Sequence, residues 1–126
     1  MNNSSHITDQ EKVPFAVELR VADLEVSLGF YSKLDFKILR LDEGACFAAL
    51  NFQGALLMLE QGEIVSPKGQ GVDLRFYLKD GLREFYDRVK REGLLISREY
   101  EETAYGLAQF CVSDPDGYVL RFCMGL

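Results

Sequence analysis

The chain repeats itself, and that repeat limits its fold more than any other feature. The stretch FAVELRVADLEVSLGFYSKLDFKILR, Phe15 to Arg40, stands over VDLRFYLKDGLREFYDRVKREGLLISR, Val72 to Arg98. Each copy reads as an alternating strand, an Asp at a helix start, an amphipathic helix with a Phe-Tyr pair, and a second strand. Asp23 matches Asp80, and Phe30-Tyr31 matches Phe85-Tyr86. Aspartate suits a helix N-cap because its carboxylate accepts from unpaired backbone N–H groups and complements the helix dipole. Leu82, Phe85, Tyr86 and Val89 keep the spacing of one helical face; Leu24, Leu28, Tyr31 and Leu34 keep it more loosely.

The repeat runs on. ACFAALNFQGALLMLEQ, Ala45 to Gln61, stands over GLAQFCVSDPDGYVLRFCM, Gly106 to Met124, each being two strands joined by a turn, with Gly54 against Gly117. In the second copy Asp114-Pro115-Asp116-Gly117 supplies a preset φ, a local side-chain hydrogen bond and a permissive backbone. Each half is therefore strand, helix, strand, strand, strand. The expected organisation is a flexible tail over 1–12 and a single domain over 13–126, built of modules 13–61 and 71–126 with a linker over 62–70. A half of about fifty residues is marginal alone, so the two are expected to share a core or a sheet.

Alternation assigns the faces. Phe15, Val17, Leu19 and Val21 point one way and Ala16, Glu18 and Arg20 the other; in the repeat, Val72, Leu74, Phe76 and Leu78 oppose Asp73, Arg75 and Tyr77. An apolar sheet face needs a helix to cover it, and each half supplies one. The opposite face is polar but mixed. By parity it carries Leu56, Met58 and Glu60, then Val119, Arg121 and Cys123, with Phe47, Ala49, Leu107, Gln109 and Cys111 joining them by register. The fold class this predicts is α+β, two tandem βαβββ modules forming curled mixed sheets around a cleft. A cleft with apolar walls and a few convergent polar groups suits a small organic ligand.

Composition narrows the partners. A net charge of −6 on 126 residues opposes nucleic-acid phosphate, for which no basic face appears. Cys46, Cys111 and Cys123 lie in apolar strand-like runs and read as small buried hydrophobes rather than a disulfide framework. No stretch is long and apolar enough to cross a bilayer, and the N-terminus lacks a signal-peptide core, so no membrane partner and a cytoplasmic location are expected.

A paired βαβββ unit carrying VADLEVSLGFY after its first strand and SDPDGYVLRF near its end resembles the vicinal oxygen chelate superfamily. That group contains glyoxalase I, extradiol dioxygenases, fosfomycin resistance proteins and bleomycin-resistance proteins. The resemblance implies four cleft-facing positions, usually His or Glu, that chelate a divalent ion in the enzymes. They fall here at Ala16, Met58, Asp73 and Arg121. Alanine offers no ligand atom, methionine a thioether that hard ions disfavour, and arginine a permanent positive charge. Only Asp73 could coordinate; Glu18 and Glu60 share its face, so a rearranged site stays open. The one histidine, His6, lies in the tail and belongs to no motif.

The resemblance is closest to the metal-free bleomycin-resistance-like members, which are acidic homodimers that sequester a cationic antibiotic between subunits. The reading is therefore metal-independent binding of a small organic molecule with no cofactor, antibiotic sequestration included, by a homodimer. The ligand-binding candidates are Glu18, Phe47, Met58, Asp73, Arg75, Tyr77, Gln109 and Arg121. Arg75 and Arg121 would meet anionic or carbonyl groups, Glu18 and Asp73 cationic or donor groups, and Met58 and Phe47 would form apolar walls. Phe47 and Tyr77 are the candidate stacking rings. The alternative is an enzyme of the same superfamily with a rearranged or absent metal site, with Glu18, Glu60 or Asp73 as base and Arg75 or Arg121 as electrostatic partner.

Overall fold

A computed structural model describes residues 6–64 and 71–126. Residues 1–5 of the tail and 65–70 of the linker lie outside the described residues. The chain divides into two compact units, residues 1–65 and 66–126. In the first, a 3-10 turn over Asp9–Glu11 precedes β1 (Val17–Val21), α1 (Leu24–Lys33), β2 (Lys37–Asp42), β3 (Phe47–Phe52) and β4 (Ala55–Gln61). In the second come β5 (Asp73–Tyr77), α2 (Leu82–Arg91), β6 (Ile96–Glu102), β7 (Leu107–Ser113) and β8 (Val119–Gly125).

The two sheets share one topology, β1-β4-β3-β2 and β5-β8-β7-β6. β1 runs parallel to β4 and β5 to β8, and every other pair is antiparallel. Each first strand leaves through its helix, and two hairpins return the chain so that the last strand lies beside the first. Parallel neighbours need such a long connection. The α+β class, the tandem modules and the mixed sheets are those the repeat predicts, each sheet being open with four strands.

The apolar faces follow the predicted parity. Leu19, Val21, Ala48, Leu50, Leu57 and Leu59 are buried in the first module with Tyr31 and Leu34. In the second, Phe85 of α2 meets Phe122 edge-on at 5.1 Å and Phe110 at 5.8 Å, and Phe76 stacks on Phe122 at 5.5 Å. Phe110 and Phe122 are fully buried. Burying one such ring stabilises by roughly 1.5–3 kcal/mol. The DPDG turn closes on Asp114, whose Oδ1 accepts from the N–H groups of Asp116 and Tyr118, both at 2.9 Å. Gly117 takes φ +89°, a region that only glycine enters freely.

Three details depart from the sequence reading. Phe15, 80% exposed, and Val72, 61% exposed, stand outside the strands. Pro14 lacks a ladder donor just ahead of β1, and Asp73 already pairs with the first residue of β8, so Val72 has no partner left. Asp23 caps α1, accepting from Val26 N–H at 3.2 Å, but Asp80 does not cap α2. That place belongs to Gly81 in the left-handed region, φ +75° and ψ +18°. The Phe-Tyr pairs are also out of phase. Counted from the first helical residue, the buried Leu24, Ser27 and Tyr31 match Leu82, Phe85 and Val89. Tyr31 thus does the work of Val89, and Ser27 occupies the place of Phe85.

Candidate functional site

The strand registers bring the polar candidates into rows. In the second module Arg75, Arg121, Cys111 and Arg98 are successive partners across β5, β8, β7 and β6. The next row is Tyr77, Cys123, Gln109 and Glu101. In the first module the matching rows are Glu18, Met58, Ala49 and Arg40, then Arg20, Glu60, Phe47 and Asp42. All eight candidate residues lie on these polar faces, Asp73 one step along β5 from the first row.

A continuous chain of hydrogen bonds crosses the second sheet. Arg121 donates to Asp73 Oδ2 from Nε at 3.1 Å and from Nη2 at 2.6 Å. Its Nη1 donates to Gln109 Oε1 at 3.1 Å. Gln109 Nε2 then donates to Glu101 Oε1 at 2.9 Å, which also accepts from Arg98 Nη1 at 3.2 Å. A guanidinium only donates and a carboxylate only accepts, so the two ends fix which way the amide points. The Arg121 side chain is 14% exposed and Gln109 only 1%. The Asp73 hydrogen bond holds the Arg121 guanidinium above its ordinary range, against the opposing effect of burial.

This explains an arginine in the middle of a buried strand. Its three nitrogens each donate to a group on a neighbouring strand, Nε and Nη2 to β5 and Nη1 to β7. Burial pushes the thiols of Cys111 and Cys123 up, against the opposing positive charge of Arg121 at Cys111 and of Arg75 and Arg121 at Cys123. They pack as small hydrophobes, not as nucleophiles.

Sequence parity missed Glu101 and Arg98. Residues three apart in a regular strand point to opposite faces. Register shifts between Ile96 and Arg98 and between Arg98 and Glu101 put both on the polar face, and nothing in ISREYEE announces these irregularities. Arg75 and Tyr77 form the open end of the same face. Arg75 Nη1 donates to the Tyr77 hydroxyl at 3.2 Å, and Tyr77 is 58% exposed.

The first module is arranged differently. Glu18 is exposed beside Met58 and has no hydrogen-bond or ion-pair partner among the described residues. Glu60 faces Arg20 at 3.4 Å, an exposed pair of little energetic weight. Arg40 lies over the Phe47 ring, 4.7 Å from the centroid, and so takes up one of its faces. Arg40 is in turn gripped by Glu11. Nε and Nη2 reach Oε1 at 3.1 and 2.9 Å, and Nε reaches Oε2 at 3.0 Å.

Glu11 Oε2 also accepts from the backbone N–H and hydroxyl of Thr8, at 2.9 and 3.0 Å. Its side chain is 1% exposed. The Arg40 hydrogen bonds hold the Glu11 carboxyl below the usual glutamate range in spite of its burial. Sequence reasoning passed over Glu11, although Thr8-x-x-Glu11 has capping-box spacing. An open groove of about 480 Å³ lies on the helix side of this module among Leu24, Leu28, Leu41 and Cys46. Its lining adjoins one polar row, Leu41 preceding Asp42, Cys46 preceding Phe47 and Gln61 following Glu60, and Asp23 in the lining is committed to the α1 cap.

The four positions that the sequence pattern aligns with metal ligands do not form a donor set. Ala16 has no donor, Met58 offers a thioether, Arg121 is a cation, and Asp73 is held by Arg121. Among the described residues no group of three His, Cys, Asp or Glu side chains is placed to hold an ion. No described helix is long and apolar enough to cross a membrane.

The chain belongs to the Glyoxalase/Bleomycin resistance protein/Dioxygenase superfamily, whose family model matches residues 6–122. Solved structures share its fold. TioX from Micromonospora sp. ML1 is 23% identical with a TM-score of 0.74, the match covering 88% of this chain and 97% of that one. A glyoxalase/bleomycin resistance protein/dioxygenase from Alicyclobacillus acidocaldarius is 19% identical with a TM-score of 0.76, covering 95% and 96%. The bleomycin resistance determinant encoded on the transposon Tn5 is 23% identical with a TM-score of 0.74, covering 90% and 98%. No curated protein matches the chain. At these identities the likeness extends to the fold, and function rests on the site.

Proposed function

We propose that this protein binds a small organic molecule on the polar face of its sheets without the help of a metal ion, as a resistance protein does by sequestration. The Asp73–Arg121 pair at 2.6 Å is the observation that carries this reading. It occupies two of the four positions where enzymes of the superfamily would keep ligands. A divalent ion there would have to displace a guanidinium from the one carboxylate available and then sit beside that guanidinium's charge. Sequestration needs only affinity and abundance. The bleomycin resistance determinant among the structural neighbours supports the reading, and we extend it to a homodimer, which sedimentation would test.

The test is a thermal-shift screen of chelator-treated protein against small organic molecules, bleomycin-type antibiotics included. A ligand at about a hundred times its Kd stabilises by roughly 2.7 kcal/mol. Stabilisation without added ions is expected. A ligand that stabilises only after a divalent ion is restored would overturn metal independence. A second reading, metal-free acid–base catalysis, rests on Glu18, the one polar-face candidate carboxylate with no partner among the described residues. Turnover abolished by Glu18→Gln, with ligand stabilisation retained, would favour it.

A further inference from the structure

The second module's polar face carries three guanidiniums, Arg75, Arg98 and Arg121, against two carboxylates, Asp73 and Glu101. The hydrogen-bond chain accounts for four of these five charges. Arg121 is bound to Asp73, and Arg98 to Glu101. Arg75 is left over. It is the direct partner of Arg121 in the parallel β5–β8 ladder, and like charges directly opposite each other are destabilising. In a chain with net charge −6, this face retains a cation that its own neighbours do not neutralise.

The remaining chemistry of Arg75 is directional. One Nη1 hydrogen bond goes to the Tyr77 hydroxyl, and its other donors have no partner among the described residues. Beside it stands the phenol of Tyr77, a residue 58% exposed. A planar fork of N–H donors matches a carboxylate in bidentate fashion, and an exposed ring gives a stacking surface to a flat apolar body. We infer that Arg75 and Tyr77 form an anchoring subsite for a planar organic carboxylate, so that the ligand of this face is an anion and not a cation. The inference rests on the proposed reading that the face binds a small molecule, and it adds the charge class.

Benzoate and benzamidine separate the classes, because they have similar size and shape and opposite charge. Each is titrated into the full chain labelled with 15N at matched ionic strength, following the Tyr77 amide and the Arg75 Nε–H resonances. Benzoate should shift both saturably and benzamidine neither. Arg75→Gln, at an exposed site outside the core, should weaken benzoate at least ~10-fold, because a charge-assisted hydrogen bond is lost. Arg75→Lys should keep part of the affinity. Benzamidine shifting these resonances while benzoate leaves them still would overturn the anionic class and leave small-molecule binding intact. Unchanged benzoate affinity in Arg75→Gln would overturn the role of Arg75. Silence from both probes would overturn the subsite, while the thermal-shift screen decides the broader reading separately.

Discussion

Replacing Glu11 by Gln is expected to destabilise the fold strongly, although Glu11 lies in a segment with no sequence signal of a core. The carboxylate is 1% exposed and accepts five hydrogen bonds, three from Arg40 and two from Thr8. Glutamine puts an N–H₂ where one oxygen accepted, facing donors only. It also removes the counter-charge of a guanidinium that is 11% exposed. Breaking one side of a buried ion pair costs about 3–5 kcal/mol. Arg40 retains an exposed edge and the distant attraction of Asp42, so the low end, about 3 kcal/mol, applies. Unfolding entropy near 2.1 cal/mol/K per residue over 126 residues converts this to a Tm lowered by about 10 °C at pH 7.

The pH dependence follows from the same carboxyl. Its folded pKa is depressed below the ordinary 4.5, so the unfolded chain binds more protons in that range. The stabilisation is full above pH 4.5 and is lost as pH falls through the folded value. Thermal unfolding followed by circular dichroism from pH 7 down to pH 3 should show the gap between wild type and Glu11→Gln closing below about pH 4.5. A gap under about 2 °C at pH 7, or one that stays constant into acid, would show that the Glu11–Arg40 pair does not stabilise the fold. The double-mutant cycle with Arg40→Gln should give a coupling of about 2 kcal/mol or more.

Three further outcomes are expected. Ser27→Ala should be neutral or stabilising by up to about 1 kcal/mol, because the Ser27 hydroxyl is buried with no hydrogen-bond partner among the described residues; denaturant unfolding measures it. Gly81→Ala should destabilise by roughly 1–2 kcal/mol through its left-handed φ, with Gly81→Asn milder, again read from denaturant midpoints. Arg121→Ala should lose ligand stabilisation but keep the far-ultraviolet dichroism of the fold. It leaves Gln109 Oε1 without its donor, a cost of about 1–3 kcal/mol.

Much of this was legible in the sequence, and the limits have identifiable causes. The repeat of the two halves gave the order of elements, and period-two alternation gave the faces of β1, β4, β5 and β8. Asp114 announced its own turn because its bonds are to residues two and four positions away. What escaped depends on non-local geometry. Glu11 reaches an arginine 29 residues along the chain. Arg98 and Glu101 share a face only because β6 is irregular. The Phe-Tyr pairs look equivalent by identity but differ in helical phase, so Ser27 and Leu28 exchanged their expected burial. Arg121 was visible as a residue out of place, but its partners Gln109 and Glu101 emerge only from strand pairing.

In the proposed metal-independent binding, Arg121 stands where a metal ligand would be needed on this face. Elemental analysis of protein purified without chelator or affinity-tag metal tests it most directly, with Asp73→Ala analysed beside the wild type. No stoichiometric divalent ion is expected in either protein, and chelator should leave the thermal midpoint unchanged. One ion per chain in the wild type that disappears in Asp73→Ala would contradict metal independence.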